Sequence, residues 1–169
     1  MKLLRLTFAL LIALFASVGA AAAGDNDNFV ARLTGNEEVP SRDTLAQGQA
    51  IFHLSDDETE LEYRLIVANI ENVVASHIHV GAVGVNGPVV AFLAGPFPAA
   101  GGRTDGVLAT GTITEADLVG PLAGHPFSDL INAIKAGNTY VNVHTNDGEA
   151  PINTGPGDFP GGEIRGQIR

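Results

Sequence analysis

The chain has no cysteine. A disulfide, a thiolate metal site, a cysteine nucleophile and thioether lipid attachment are all excluded at once. Basic residues are scarce: nine Lys and Arg stand against nineteen Asp and Glu. Lys2 and Arg5 are two of the nine, and every acidic residue lies beyond residue 24, so the remainder carries seven basic and nineteen acidic groups, a net −12. Phosphate backbones would repel such a surface, which argues against nucleic acid as a partner. Long apolar runs are also missing after the first 24 residues, so no later segment can span a bilayer as a helix. Catalytic signatures are absent too. There is no Gly-x-Ser-x-Gly elbow, no His-Glu-x-x-His helix and no glycine-rich phosphate loop.

What is present begins with a leader. Met1-Lys2-Leu3-Leu4-Arg5 is basic, Leu6 to Val18 is apolar, and Gly19 to Gly24 is made of small residues. This is the order of a secretory signal peptide, with cleavage expected after Ala20 or Ala23. Its apolar core of about 13 residues is shorter than the roughly 20 that a membrane span requires. The reading is therefore a signal peptide over 1–23 and one domain over 24–169, exported to a periplasm or beyond the cell.

Glycine, proline and short β-branched runs dominate the rest. Strands are expected at Asn28 to Gly35, Gln47 to Ser55, Leu61 to Val67, Val73 to Val80, Pro88 to Ala94, Val107 to Ile113, Thr139 to Thr145 and Gly162 to Arg169. The second and third form a hairpin around Asp56-Asp57-Glu58-Thr59, with one wet and one buried face. Thr114 to Asp117 has a capping pattern, Ser128 can cap a helix running to Ala136, and Gly137 suits its exit. Gly95 to Asp105 and Asn146 to Gly162 read as long loops. Helical pieces do not alternate with strands, so the fold class is all-β, a Greek-key β-sandwich or barrel of the immunoglobulin or superoxide-dismutase kind.

The chemistry concentrates in histidines. In Ser76-His77-Ile78-His79-Val80 the imidazoles are two residues apart, on one face of a strand and roughly 6–7 Å apart. His144 lies on a strand whose same face carries Asn142 and Tyr140. If the two strands are neighbours, His77, His79 and His144 form a three-imidazole site suited to copper or zinc. A hydrogen-bonded polar network, satisfied by backbone and by Asn142 or Glu163, explains the same pattern. Ring nitrogens within about 3–4 Å of one another would favour the metal, and rings pointing apart would favour the network. His53 reads as structural and His125 as a loop residue. On the last strand Glu163, Arg165, Gln167 and Arg169 share a face, where Glu163 and Arg165 can pair or brace a histidine. A solvated face of an edge strand is the simpler reading there. The acidic loop 146–158 has oxygen atoms enough for calcium but lacks EF-hand spacing.

These pieces together resemble the chordin-like (CHRD) domain of exported bacterial proteins and of animal chordin. The matching residues are Phe29 to Gly35 with Glu38-Val39-Pro40, Gly48-Gln49-Ala50, Ser76-His77-Ile78-His79, Gly87-Pro88-Val89-Val90 and Gly106 to Leu118. Tyr140 to Thr145 and Gly162 to Ile168 complete the set. The resemblance implies that His77, His79, His144, Glu163 and Arg165 are motif positions, and its animal members imply extracellular protein ligands. A looser likeness to copper-zinc superoxide dismutase stops at the sandwich and the His-x-His. The disulfide cysteines, the histidine-rich zinc loop and a bridging histidine are missing.

Three functions follow as expectations. The first is an exported, non-catalytic binding module with a mononuclear metal, copper before zinc, at His77, His79 and His144, with Asn142, Glu163 and Arg165 around it. The second is an extracellular or periplasmic protein-interaction scaffold whose histidines are a structural network. The third is a dismutase-like copper enzyme.

Overall fold

A computed structural model describes residues 28–169; the leader read at 1–23 lies outside them. Eight strands form a single antiparallel sheet: β1 Asn28–Thr34, β2 Gln47–Leu54, β3 Leu61–Glu71, β4 Val73–Val80, β5 Val89–Ala94, β6 Arg103–Ile113, β7 Thr139–Thr145 and β8 Ile164–Gln167. Their order is β5-β4-β7-β8-β1-β2-β3-β6. The sheet curls until β5 and β6 lie side by side, giving a nearly closed barrel or sandwich. The Tyr63 hydroxyl on β3 donates to the Leu93 carbonyl on β5 at 2.6 Å, and Val119 N–H donates to the Val90 carbonyl at 2.9 Å. Both bonds use acceptors of the terminal strand β5 that would otherwise invite another chain.

Period-2 alternation builds the core. Phe29, Ala31 and Leu33 of β1, Ala50, Phe52 and Leu54 of β2, and Leu61, Leu65 and Val67 of β3 are buried. Gln49, Ile51 and His53, with Glu62 and Arg64 opposite, face water. The hairpin turn is held by Asp57, whose Oδ1 accepts from Ser55 Oγ at 2.7 Å and from Thr59 N–H at 3.2 Å. The helix α1, Phe127–Lys135, adds Phe127, Leu130, Ile131 and Ile134 to the same core. It starts from Pro126 rather than Ser128, and Gly137 terminates it at φ 69°. At Thr114 the expected cap holds a short 3-10 turn, with Asp117 Oδ2 accepting from Thr114 N–H at 2.9 Å.

Strand β3 runs four residues beyond the expected Val67, through a register shift between Val67 and Ile70. One residue, Asn72, then turns the chain into β4 at φ 53°. Its Oδ1 accepts from Gly102 N–H at 3.0 Å, and its Nδ2 donates to the Gly157 carbonyl at 3.3 Å. Asparagine tolerates this left-handed conformation, and its side chain ties two loops to the corner.

The expectation of a solvated edge strand at the C-terminus is overturned. β8 lies between β7 and β1, and Glu163, Arg165 and Gln167 are 0%, 1% and 8% exposed. One face of β7 and β8 packs on the core. The other, polar face is roofed by residues 35–46, 81–88 and 146–162, which supply hydrogen-bond partners to its side chains. This roof places the functional candidates in a buried polar layer.

Candidate metal centre

Strands β4 and β7 are antiparallel neighbours, with His77 opposite Asn142, His79 opposite Tyr140 and Ala75 opposite His144. His144 is therefore diagonal to His77 on the shared face, close enough for the rings to meet. His77 Nδ1 lies 3.1 Å from His144 Nε2, and one ring nitrogen from each of the three residues lies within 4.8 Å of the others. The closest pair meets the 3–4 Å expected of two ligands on one ion, and the full spread is somewhat wider. Among the described residues this is the one grouping of three or more metal-ligating side chains. The carboxylates of the acidic loop 146–158 do not form a second. His53 lies 3.1 Å from Asn28 Oδ1, and His125 lies 3.0 Å from Asp129 Oδ2, both away from the trio.

The outer ring nitrogens fix the tautomers. His79 Nδ1 donates to the Gly87 carbonyl at 2.9 Å, and His144 Nδ1 donates to the Pro160 carbonyl at 3.0 Å. A carbonyl only accepts, so each Nδ1 carries the proton and each Nε2 keeps a lone pair. Residue 87 must be glycine for this, because a Cβ there would overlap the Val80 carbonyl. His79 also stacks on Tyr140, centroids 4.8 Å apart, and His77 meets the half-exposed Phe92 edge-on at 4.8 Å.

All three imidazoles are held uncharged. Burial, then the neighbouring His144 and His79, pushes His77 down to about 4. Burial outweighs the Pro160 carbonyl to bring His144 to about 4 as well. Burial lowers His79 against its Gly87 bond, with the Arg165 charge adding to the effect. Neutral imidazole is the form that binds metal. A base whose folded pKa is depressed contributes stability that is present above about 6.5 and lost as pH falls through about 4. We therefore expect urea unfolding to show the metal-free wild type losing more stability between pH 7 and 4.5 than a His77→Phe/His144→Phe double variant, in which His79 alone of the trio still titrates.

A family model of the CHRD domain matches residues 29–168. The chain belongs to the CHRD domain family. Comparison with curated proteins and with solved structures returns no match.

In this CHRD domain, Asn142 lies opposite His77 on β7, and the hydrogen bonds of Glu163 and Arg165 run to residues other than the trio. Glu163 accepts from Thr44 Oγ1 at 2.6 Å, Thr145 Oγ1 at 2.7 Å and Gly157 N–H at 2.8 Å. Arg165 donates to Asn86 Oδ1 at 3.1 Å and to the Ala82 and Val85 carbonyls at 3.1 and 2.9 Å. Its guanidinium lies 3.5 Å over the Tyr140 ring, so Arg165, Tyr140 and His79 form one stack. The hydrogen bonds of Glu163 and Arg165 thus run to separate partners, and these contacts stand in place of the pairing that a shared face allows. The histidine braces are instead the backbone carbonyls of Gly87 and Pro160. Tyr140, stacked on His79, is a site residue that the histidine spacing alone does not nominate. Tyr140 was within reach, since it shares the His144 face at the i−4 position.

Proposed function

We propose that this CHRD domain is an exported, non-catalytic binding module that holds one divalent metal ion through His77 Nδ1, His79 Nε2 and His144 Nε2. The observation that carries the reading is His79 Nε2. It is buried, bears a lone pair because Nδ1 is protonated toward Gly87, and has no hydrogen-bond partner. An orphaned buried acceptor costs roughly 1–3 kcal/mol, and a metal ion relieves that cost. The donor set is all imidazole. With no cysteine, and the single methionine at position 1, it suits Cu(II) or Zn(II) better than a thiophilic Cu(I). A partner protein outside the cytoplasm is the natural recipient of such a module, and among the described residues no helix is long and apolar enough to cross a membrane.

Titration of the mature, chelator-treated protein with Cu(II), and separately with Zn(II), tests this. One equivalent should bind to the wild type, and the His144→Ala variant should retain only adventitious affinity. Equal binding by both proteins would sink the proposal. A structural network is the second reading, favoured by the 3.1 Å contact in which His77 Nδ1–H can donate to His144 Nε2 without any metal. It accounts for two imidazoles and leaves His79 Nε2 unexplained.

A further inference from the structure

Around Asn142, opposite His77 on β7, a second set of buried polar atoms lacks partners. Glu38 follows the short turn Gly35–Glu37 and is 6% exposed, with its carboxyl against Asn142, which is 3% exposed. Asn142 Nδ2 lies 3.5 Å from Glu38 Oε2. The other two oxygens, Glu38 Oε1 and Asn142 Oδ1, are both buried without a hydrogen-bond partner. They converge on Gly162, since a Cβ built there would lie 2.5 Å from each. Two bare acceptors turned to the same spot repel each other, and exchanging the amide oxygen and nitrogen only moves the conflict to Oε2.

Few species resolve it. Arg165 from β8 and Arg42 from the same segment both exert a positive field on the Glu38 carboxyl, which disfavours a further cation. Neither supplies the missing hydrogen bond. Arg165 is committed to Asn86, Ala82 and Val85, and Arg42, its guanidinium 4.6 Å over the Phe159 ring, leaves its own buried Nε without a partner and makes no hydrogen bond to Glu38. The other acidic neighbour of this layer, Glu163, is already served by Thr44, Thr145 and Gly157, and His77 and His144 are uncharged near neutrality. A single proton satisfies both oxygens from within the pair.

We propose that Glu38 is held as an uncharged carboxylic acid that closes a two-way hydrogen-bonded pair with the Asn142 amide. Oε1–H donates to Oδ1, Nδ2–H donates to Oε2, and both orphaned oxygens are satisfied by one proton. The pair latches the 35–46 segment onto β7 at the position opposite His77 and two residues from His144. Desolvation is strong enough for this against both arginines, raising the carboxyl from its ordinary 4.5 to about 7. The linkage sign is opposite to that of the histidines. A raised folded pKa stabilises fully below about 4.5, and the stabilisation is lost as pH rises through about 7.

The measurement is a carbon-13 titration of the glutamate side-chain carboxyls in the mature protein, metal-free and then zinc-loaded. Glu38 should titrate with a midpoint near 7, and a midpoint near 4.5 overturns the proposal. Glu38→Gln is the companion variant, because glutamine presents the donor and acceptor of a protonated glutamate at every pH. Relative to Glu38→Gln, the wild type should lose stability from pH 5 to 8. Parallel pH profiles for the two proteins would overturn the pairing. Should the variant fail to fold, the wild-type titration still decides. The midpoint is read without metal, so an absent metal site leaves this test intact.

Discussion

Replacing His79 with phenylalanine is expected to abolish specific metal binding while leaving the metal-free fold within about 1 kcal/mol of the wild type. The two halves of this result come from the two ring nitrogens. Nδ1 makes one bond to the Gly87 carbonyl, worth about 1 kcal/mol, and its loss leaves Gly87 with a long contact of 3.4 Å from the Tyr140 hydroxyl. Nε2 is buried without a partner, and its removal returns a similar amount. Phenylalanine preserves the stack on Tyr140, whose rings are inclined by only 11°. Affinity should fall by more than the 10–100-fold that loss of an outer-shell partner costs, since a ligand is removed. Calorimetric titration with Zn(II) and urea unfolding in chelator measure the two halves. Substantial destabilisation with intact affinity would show that the histidines are a network. That result would also move the function toward a scaffold.

His77→Phe supplies the contrast within the same site. Its Nδ1 is engaged by His144 at 3.1 Å, so truncation disturbs an existing contact in the metal-free state. His79 and His77 are two residues apart on one strand, yet their metal-free roles differ because of what the loops bring to each ring. Strand spacing predicts that they share a face. It does not predict which nitrogen is spoken for.

That distinction marks how far local pattern reaches in this chain. Strands β1, β2 and the first part of β3 are half-wet, so their alternation of apolar and polar residues is legible, and the hairpin between β2 and β3 follows from it. The His-x-His pair was legible for a different reason, since residues i and i+2 share a face of any strand, and its convergence with His144 needed only that β4 and β7 be neighbours. β8 deceives because Glu163, Arg165 and Gln167 alternate with Ile164 and Ile168 as they would on an edge strand. Nothing in that octet reveals that residues 35–46 and 81–88 fold back over it. Burial by a distant roof leaves no periodic trace. The carbonyls of Gly87 and Pro160 leave none either, since every residue has one. Glu38 sits in a polar segment before a proline, where a carboxylate is ordinarily solvated, and only its contact with Asn142 and Gly162 shows otherwise. The end of β3 is hidden by its register shift, and the start of β6 by glycine-rich sequence that resembles a loop.

Arg165 is where the roof and the metal centre are joined, and substituting it should show both roles at once. It is 1% exposed, and its guanidinium satisfies Asn86 Oδ1 and two carbonyls of the loop 81–88 while covering the Tyr140 ring. Arg165→Met keeps the apolar stem but removes every donor, leaving the Ala82 and Val85 carbonyls to find water and the loop without its anchor. Hydrogen bonds to a charged donor are worth about 1.5–3 kcal/mol each, and part is recovered by hydration of an exposed loop, so a net loss of about 3 kcal/mol is expected in urea unfolding. Lysine should restore less than half of it, because one ammonium cannot serve three divergent acceptors and stack on tyrosine together. The second effect runs through Gly87. Once the loop is released, its carbonyl no longer fixes the His79 tautomer, and Zn(II) affinity should drop by roughly 10–100-fold although Arg165 touches none of the candidate ligands. Asn86→Ala separates the two, since it removes one acceptor of Arg165 and one donor to the Val39 carbonyl but leaves the Ala82 and Val85 contacts in place. Its affinity should stay within a few-fold of wild type. Unchanged affinity in Arg165→Met, with stability lost as expected, would mean that Pro160 and the packing of Tyr140 suffice to hold the trio, and that the loop 81–88 serves the fold alone.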